Sequence, residues 1–245
     1  MIIITKKDIL HYYQNRQLDD GEKEYLVYNG DRIPRILNVI ERLLPEILNK
    51  GKKEVRILDV GPHFLTEQIH RFFPDVVINT LGFENQRLYD PKIINKHLQY
   101  DLNDAQNPEK WISFDQHDII IISEVMEHLY TSPIRVLSFL KTLMLPGAFI
   151  LITVPNALAI THRLKLLFGK HPYEMIRESR ENPGHFREYT RLELMDIGKK
   201  AGLKFESSWS ENYARSKNKL INFIILISSI FPGFRQGLFI IFKNE

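Results

Sequence analysis

Residues 57–66 read Ile57-Leu58-Asp59-Val60-Gly61-Pro62-His63-Phe64-Leu65-Thr66. A continuous apolar run ends in an acid and then a glycine, as a strand buried on both faces does where it opens into a ligand-binding turn. A glycine-rich dinucleotide loop would continue with further glycines, so that the backbone can approach a pyrophosphate. Here His63 and Leu65 stand in their places. Gly61 alone can supply the turn and one close approach, with His63 pointing its side chain outward.

Working outward, the same strand-then-helix alternation recurs. Upstream, the first fifty residues read as helical: Ile33, Ile36, Leu37 and Ile40, followed by Leu43 and Leu44, recur at three- and four-residue steps, and Gly51 closes that helix. Downstream, Leu65, Ile69, Phe72 and Phe73 form one helical stripe before Pro74. Strands are then expected in VVINTLGFE (76–84), KHLQYDLND (96–104), HDIIIIS (117–123), FILITVP (149–155), LKFESSW (203–209) and GLFIIFK (237–243). Ser132 and Pro133 open one helix as cap and first-turn residue, and Thr190 to Ala201 forms another, ended by Gly202. Alternation on this scale specifies a mostly parallel sheet with helices on both faces, whose ligands bind outside the carboxyl ends of the strands. Asp59–Gly61, Glu84, Asp101, Ser123, Glu124, Pro155 and Asn156 then share one edge of the sheet.

The 245 residues suit one α/β domain, with no internal repeat or low-complexity linker. A net charge of +3 is too mild to argue for nucleic acid. Without cysteine there is no disulfide, thiolate metal site or cysteine nucleophile. The opening MIIITKKDIL lacks the apolar length of a signal peptide, which makes a cytoplasmic setting the expectation. Leu220 to Phe231 is a dozen mostly apolar residues, short of the roughly 20 needed to span a bilayer. A helix packed on the domain is the reading adopted; peripheral contact with an anionic membrane surface through 220–231 is the alternative, because Arg215, Lys217, Lys219 and Arg235 flank it.

Glu84 lies 23 residues after Gly61, near the offset at which a carboxylate meets ribose hydroxyls, and Asp101 ends the third strand. Taken in order, VRILDVG, GFE, YDLND, FDQHDIIIISEVMEHL, LPGAFILITVPN and GHFREYTRLEL resemble the class I S-adenosylmethionine-dependent methyltransferases, most of all the small-molecule O-methyltransferases that include the ubiquinone-pathway enzymes. The resemblance covers about residues 30 to 210 and the last strand. It implies a Rossmann-like, doubly wound α/β fold: a seven-stranded, mostly parallel sheet whose last strand is antiparallel. Residues 1–50 would be an N-terminal helical segment on a methyltransferase domain of 51–245, with a lid-like segment at 157–189 and an apolar insert at 212–236. It further implies that Asp59 and Gly61 approach the methionine end of S-adenosylmethionine, that Glu84 holds the ribose, that Asp101 and Leu102 meet the adenine, and that Ser123 lies near the sulfonium. That cofactor carries no phosphate, only one small carboxylate, so the glycine-poor loop remains compatible with it.

A second group concerns chemistry. Glu124, Glu127 and His128 fall at i, i+3 and i+4, on one face if helix follows Ser123, and His185 comes 57 residues after His128. Carboxylate and imidazole ligands without sulfur suit Mg²⁺ or Mn²⁺ rather than zinc. The pair E-x-x-E-H and H-x-x-E-Y-T-R resembles the metal-dependent 2′-O-methyltransferases of small-RNA 3′ ends, and part of it recurs in the ubiquinone-pathway enzymes. Without metal, His128 or His185 would be the candidate base. Arg163, Lys165, Arg177, Arg180 and Arg187 could give the lid a basic lining.

The expectation is therefore methyl transfer to a hydroxyl of a small-molecule substrate that is quinone-like, lipid-linked or a sugar. A non-catalytic protein of the same fold and an RNA 2′-O-methyltransferase are the alternatives. Tyr213 and Lys217 match the Tyr-x-x-x-Lys spacing of short-chain dehydrogenases, but the pyrophosphate loop such enzymes need is missing.

Overall fold

A computed structural model describes residues 3–49, 51–83, 90–173, 175–178, 184–213 and 219–245. Seven strands form one sheet: β1 (Arg56–Val60), β2 (Val77–Gly82), β3 (Lys96–Gln99), β4 (His117–Ser123), β5 (Met144–Pro155), β6 (Lys204–Glu211) and β7 (Gly237–Lys243). Their order is 3-2-1-4-5-7-6, with β7 antiparallel to both β5 and β6 and all other pairings parallel. The Rossmann-like, doubly wound sheet read from the sequence is therefore present, with the strand order reversing at β1 and β4. β5 begins earlier than the expected strand at 149–155: it starts at Met144 and shifts register against β4 between His117 and Ile119.

The run of isoleucines in β4 shows why both faces are covered. Ile120 and Ile122 pack with α5 (Pro133–Thr142) and α7 (Arg191–Lys200), through Val136, Leu137, Leu194 and Ile197. Ile119 and Ile121 point the other way, onto α3 (Arg32–Leu48) and α4 (Phe64–Phe72). Two shorter helices, α1 (Lys6–Tyr13) and α2 (Asp20–Asn29), join that second layer through Ile9, Tyr13 and Leu26. Ser132 and Pro133 do begin α5, although the Ser132 side chain makes no capping hydrogen bond; its backbone N–H donates to Gln106 Oε1 instead.

The reading of 220–231 as a helix packed on the domain needs correction. The segment does form a helix, α8 (Lys219–Ser228), but only Ile225 and Ser228 of it are buried. It touches α6 (Ile160–Leu167), itself without a buried residue. Among the described residues, no helix is long and apolar enough to cross a membrane.

Packing at the back of the sheet can be tested at Gly198 in α7. A glycine-to-alanine change in a helix ordinarily stabilises by about 1 kcal/mol. Here the added Cβ would lie 2.3 Å from the ring of Phe242, which is fully buried in β7. Overpacking should win, so Gly198→Ala should lose about 1–3 kcal/mol in denaturant unfolding; a stabilised variant would show that α7 can shift off the sheet.

Candidate active site

A cavity of about 970 Å³ opens at the carboxyl edge of the sheet. Its floor is Val60-Gly61 from β1, Leu81-Gly82 from β2 and Ser123-Glu124 from β4; Tyr100–Asn103 line one side and Ala159–Lys165 of the α6 segment another. Gly61 has φ +72°, and a Cβ there would stand 2.7 Å from Val125 Cγ2. Both the dihedral and the close approach favour glycine there.

The loop after Gly61 is held by side chains where glycines were expected. Asp59, buried, accepts from Thr66 Oγ1 at 2.6 Å, and Thr66 Oγ1 accepts from the His63 backbone N–H at 3.2 Å. His63 does not point outward, contrary to the sequence reading. Its ring lies 4.3 Å from that of Tyr25 and 4.6 Å from that of Phe64, at the edge of the cavity. Burial, then the charge of Arg32, pushes its pKa down to about 4, so it is neutral at physiological pH. Leu65 is in the core and takes no part in the cavity wall.

The opposite wall comes from the N-terminal helices. Arg32, almost fully buried, sets Nη1 3.2 Å from Glu124 Oε2 and donates through Nη2 to the Tyr25 hydroxyl at 2.5 Å. Tyr213 donates to both Glu124 carboxylate oxygens at 3.0 Å, and Thr153 Oγ1 adds a third donor. Glu124 is the single non-glycine residue with positive φ among those described, at +54°. Strained backbone of this kind costs on the order of 1–3 kcal/mol and is retained where surroundings over-determine it.

That conformation overturns the expected helical face. The chain leaves Ser123, turns at Glu124, and makes only one 3₁₀ turn over Met126–His128. Glu124 is consequently committed to Arg32, Tyr213 and Thr153. It is not among the side chains that could share a metal. Glu127, His128 and His185 are: their ligand atoms lie within 4.8 Å of one another. The backbone brings the two distant segments together, since the N–H groups of Phe186 and Arg187 both donate to the Glu127 carbonyl.

Each of these groups has a distinctive surrounding. His128 Nδ1 is 2.7 Å from the Gly184 carbonyl; a carbonyl only accepts, so Nδ1 carries the proton. His185 Nδ1 lies 3.1 Å from Glu188 Oε1, and Glu188 Oε2 lies 3.3 Å from His162 Nδ1 on α6. Glu127 is buried, and its Oε2 has no hydrogen-bond partner among the described residues. Burial, then the nearby Glu124 carboxylate, holds the Glu127 pKa well above the ordinary range.

Comparison with known proteins decides the family. Residues 28–208 match the family described as "Methyltransferase domain". The chain belongs to that family. Its sheet is that of the class I S-adenosylmethionine-dependent methyltransferases. Similar solved structures include magnesium protoporphyrin IX methyltransferase from Synechocystis PCC 6803 with bound S-adenosylhomocysteine (12% identity, 98% of this chain and 94% of that one, TM-score 0.54). An S-adenosylmethionine-dependent methyltransferase from Archaeoglobus fulgidus is 16% identical over 92% of this chain and 100% of that one, TM-score 0.50. Another from Methanosarcina mazei is 15% identical over 82% and 97%, TM-score 0.51. No curated protein matches the sequence.

In this methyltransferase, Gly61, Asp101, Leu102, Ser123, Glu124, Glu127, His128 and His185 all line the cavity. Asp101 is turned partly to its own chain, accepting from the backbone and side chain of Asn103, and Ser123 Oγ pairs with Thr153 Oγ1. Asp59 does not reach the cavity, because its carboxyl is spent on Thr66. Glu84 lies outside the described residues, as do Arg180, Arg215 and Lys217. Of the expected basic lining, Lys165 and Arg177 are in the wall, whereas Arg163 lies over Phe234 and Arg187 pairs with Glu193. The dehydrogenase reading of Tyr213 fails on chemistry as well: burial and Glu124 raise its pKa, where proton transfer would need it lowered. Sequence reasoning missed Tyr25, Arg32 and His162, which no local pattern distinguishes from surface residues. Glu188 was visible only as the acid in H-x-x-E.

Asp59 offers a test of the loop's support. Burial pushes its pKa up to about 7, against a lowering by the Thr66 hydrogen bond. An acid with a raised folded-state pKa stabilises most when protonated, and that stability is lost as pH rises from about 4 through about 7. Asp59→Asn keeps an acceptor for Thr66 without the charge. Its stability relative to the parent should rise between about pH 4 and about pH 8, with a ceiling of about 4 kcal/mol. Thermal unfolding of both proteins across that range would read it; a constant difference would mean Asp59 ionises normally.

Proposed function

We propose that this methyltransferase methylates a hydroxyl of a small-molecule acceptor, with Glu127, His128 and His185 serving that hydroxyl. The observation that carries the reading is the shared treatment of the two imidazoles. Each has its Nδ1 set against an acceptor, Gly184 O for His128 and Glu188 for His185. In the neutral ring the proton then sits on Nδ1 and the lone pair on Nε2. Such a nitrogen can take the acceptor's proton, and His128 Nε2 is 3.9 Å from Glu127 Oε1.

S-adenosylmethionine supplies a methyl group on a sulfonium, whose bonding pair stays on sulfur. The proton that the protein must handle is therefore the acceptor's own. Gly61 permits close approach at the strand end, Asp101 and Leu102 offer a polar and an apolar surface beyond it, and the α6 segment helps screen the site from water. Holding the hydroxyl in line with the sulfonium is the larger contribution, up to roughly 7–11 kcal/mol in favourable cases.

The same three side chains fit a divalent cation. The donors are oxygen and imidazole nitrogen, and the buried Glu127 Oε2 lacks a hydrogen-bond partner among the described residues. Bound there, Mg²⁺ or Mn²⁺ would lower the pKa of the acceptor hydroxyl. Quinone-like, lipid-linked and sugar acceptors all provide such a group.

Calorimetric titration with S-adenosylmethionine and S-adenosylhomocysteine, with and without Mg²⁺, tests the reading. Both cofactor forms should bind, and failure of both would end it. His185→Ala should keep S-adenosylhomocysteine affinity and lower turnover by roughly 10²–10⁴-fold; unchanged turnover would remove His185 from the chemistry. Activity abolished by EDTA and restored by Mg²⁺ would support the cation, and indifference to EDTA would leave the imidazole as base.

A further inference from the structure

The apolar insert ends in a contradiction. A helix as apolar as α8 (KLINFIILIS) is ordinarily buried all round. Yet Phe223 and Leu226 on it, and Ile230 and Phe231 just after it, are each more than half exposed. Beside them Leu167 and Phe168, at the end of α6, are 77% and 74% exposed. The two helices touch, and the Arg163 guanidinium lies 5.0 Å from the Phe234 ring centroid, so these side chains belong to neighbouring surface. Exposed apolar surface of this extent marks a docking site.

Charge says what docks there. Residues 157–173 and 219–236 carry Arg163, Lys165, Lys170, Lys219 and Arg235, and no aspartate or glutamate. The chain as a whole has 30 acids, so their absence from both segments is selective. Two apolar segments whose charged residues are all cations complement an anionic lipid surface. They do not complement themselves: two copies meeting face to face would oppose like charges. The family match stops at residue 208, so α6 lies inside it and α8 beyond it.

We propose that α6, α8 and the turn after α8 form a monotopic docking surface that seats this protein on an anionic bilayer. Phe223, Leu226, Ile230, Phe231, Leu167 and Phe168 enter the acyl boundary while the exposed Lys170 and Lys219 meet lipid phosphates. The surface is the outer side of a cavity wall, since Ala159, Thr161, His162 and Lys165 of the α6 segment line the cavity. Ile176 both lines the cavity and is 56% exposed, so apolar surface is also open at the cavity's rim. Docking therefore presents the cavity to molecules dissolved in the bilayer.

Co-sedimentation of the full chain with vesicles tests this, using phosphatidylcholine alone and phosphatidylcholine mixed with phosphatidylglycerol. Binding should be at least about tenfold tighter to the anionic vesicles and should weaken as salt is raised. Phe223→Glu with Leu226→Glu on α8, or Leu167→Glu with Phe168→Glu on α6, should each reduce binding at least about tenfold. These positions are exposed and outside the cavity wall, so S-adenosylhomocysteine titration of the same samples should be unchanged. A parent protein that stays in the supernatant, or substituted proteins that sediment like the parent, would overturn the proposal. So would a dimer, seen by light scattering, that either pair of substitutions dissolves, because the occupant would then be a second copy. The titration separates this outcome from failure of the methyl-transfer reading: vesicle binding without cofactor binding rejects only the latter.

Discussion

The ion pair between Arg32 and Glu124 is the contact on which the site's shape depends. Buried ion pairs add little net stability, because desolvation offsets the attraction, but they fix geometry and are costly to break from one side. This one joins the start of α3 to the end of β4 and carries Tyr25 and Tyr213 with it. It holds Glu124 in a left-handed conformation that an unsupported glutamate would leave. Because of that turn, the chain after β4 does not run directly into a helix. It makes one tight turn instead, which aims Glu127 and His128 at the segment carrying His185.

The glycine-poor loop follows a related logic. Where a dinucleotide site relies on bare backbone, here Asp59, Thr66 and the His63 N–H form a chain of hydrogen bonds that fixes the same turn. The His63 ring is drawn onto Tyr25, and Leu65 joins the core. Neither side chain fills the space beside Gly61. A ligand whose anion is a single carboxylate would need one close backbone approach, and Gly61 leaves bare backbone at the cavity for it.

The two faces of the α6 segment link site and surface. His162 faces Glu188 behind His185, while Leu167 and Phe168 remain outside with α8. One short helix thus borders the His185–Glu188 pair on one side and the apolar exterior on the other.

Periodicity determined the sheet. The apolar runs around Ile57, Ile78, Ile119 and Ile150 can be satisfied only by burial on two faces, and Gly61, Asp101, Ser123, His128 and His185 were legible as strand-end or loop residues because chain order places them there. Spacing failed at Glu124, whose direction depends on an arginine 92 positions earlier, and it gave no sign that the Asp59 carboxyl would be held by Thr66. It failed also at α8, since composition reports that a segment is apolar and not whether anything covers it. What the sequence determined by itself is set by local backbone preference and burial period. What only the tertiary structure decided, namely the partner of each buried charge and the surface left open, comes from contacts between elements far apart in the chain, which no window of residues contains.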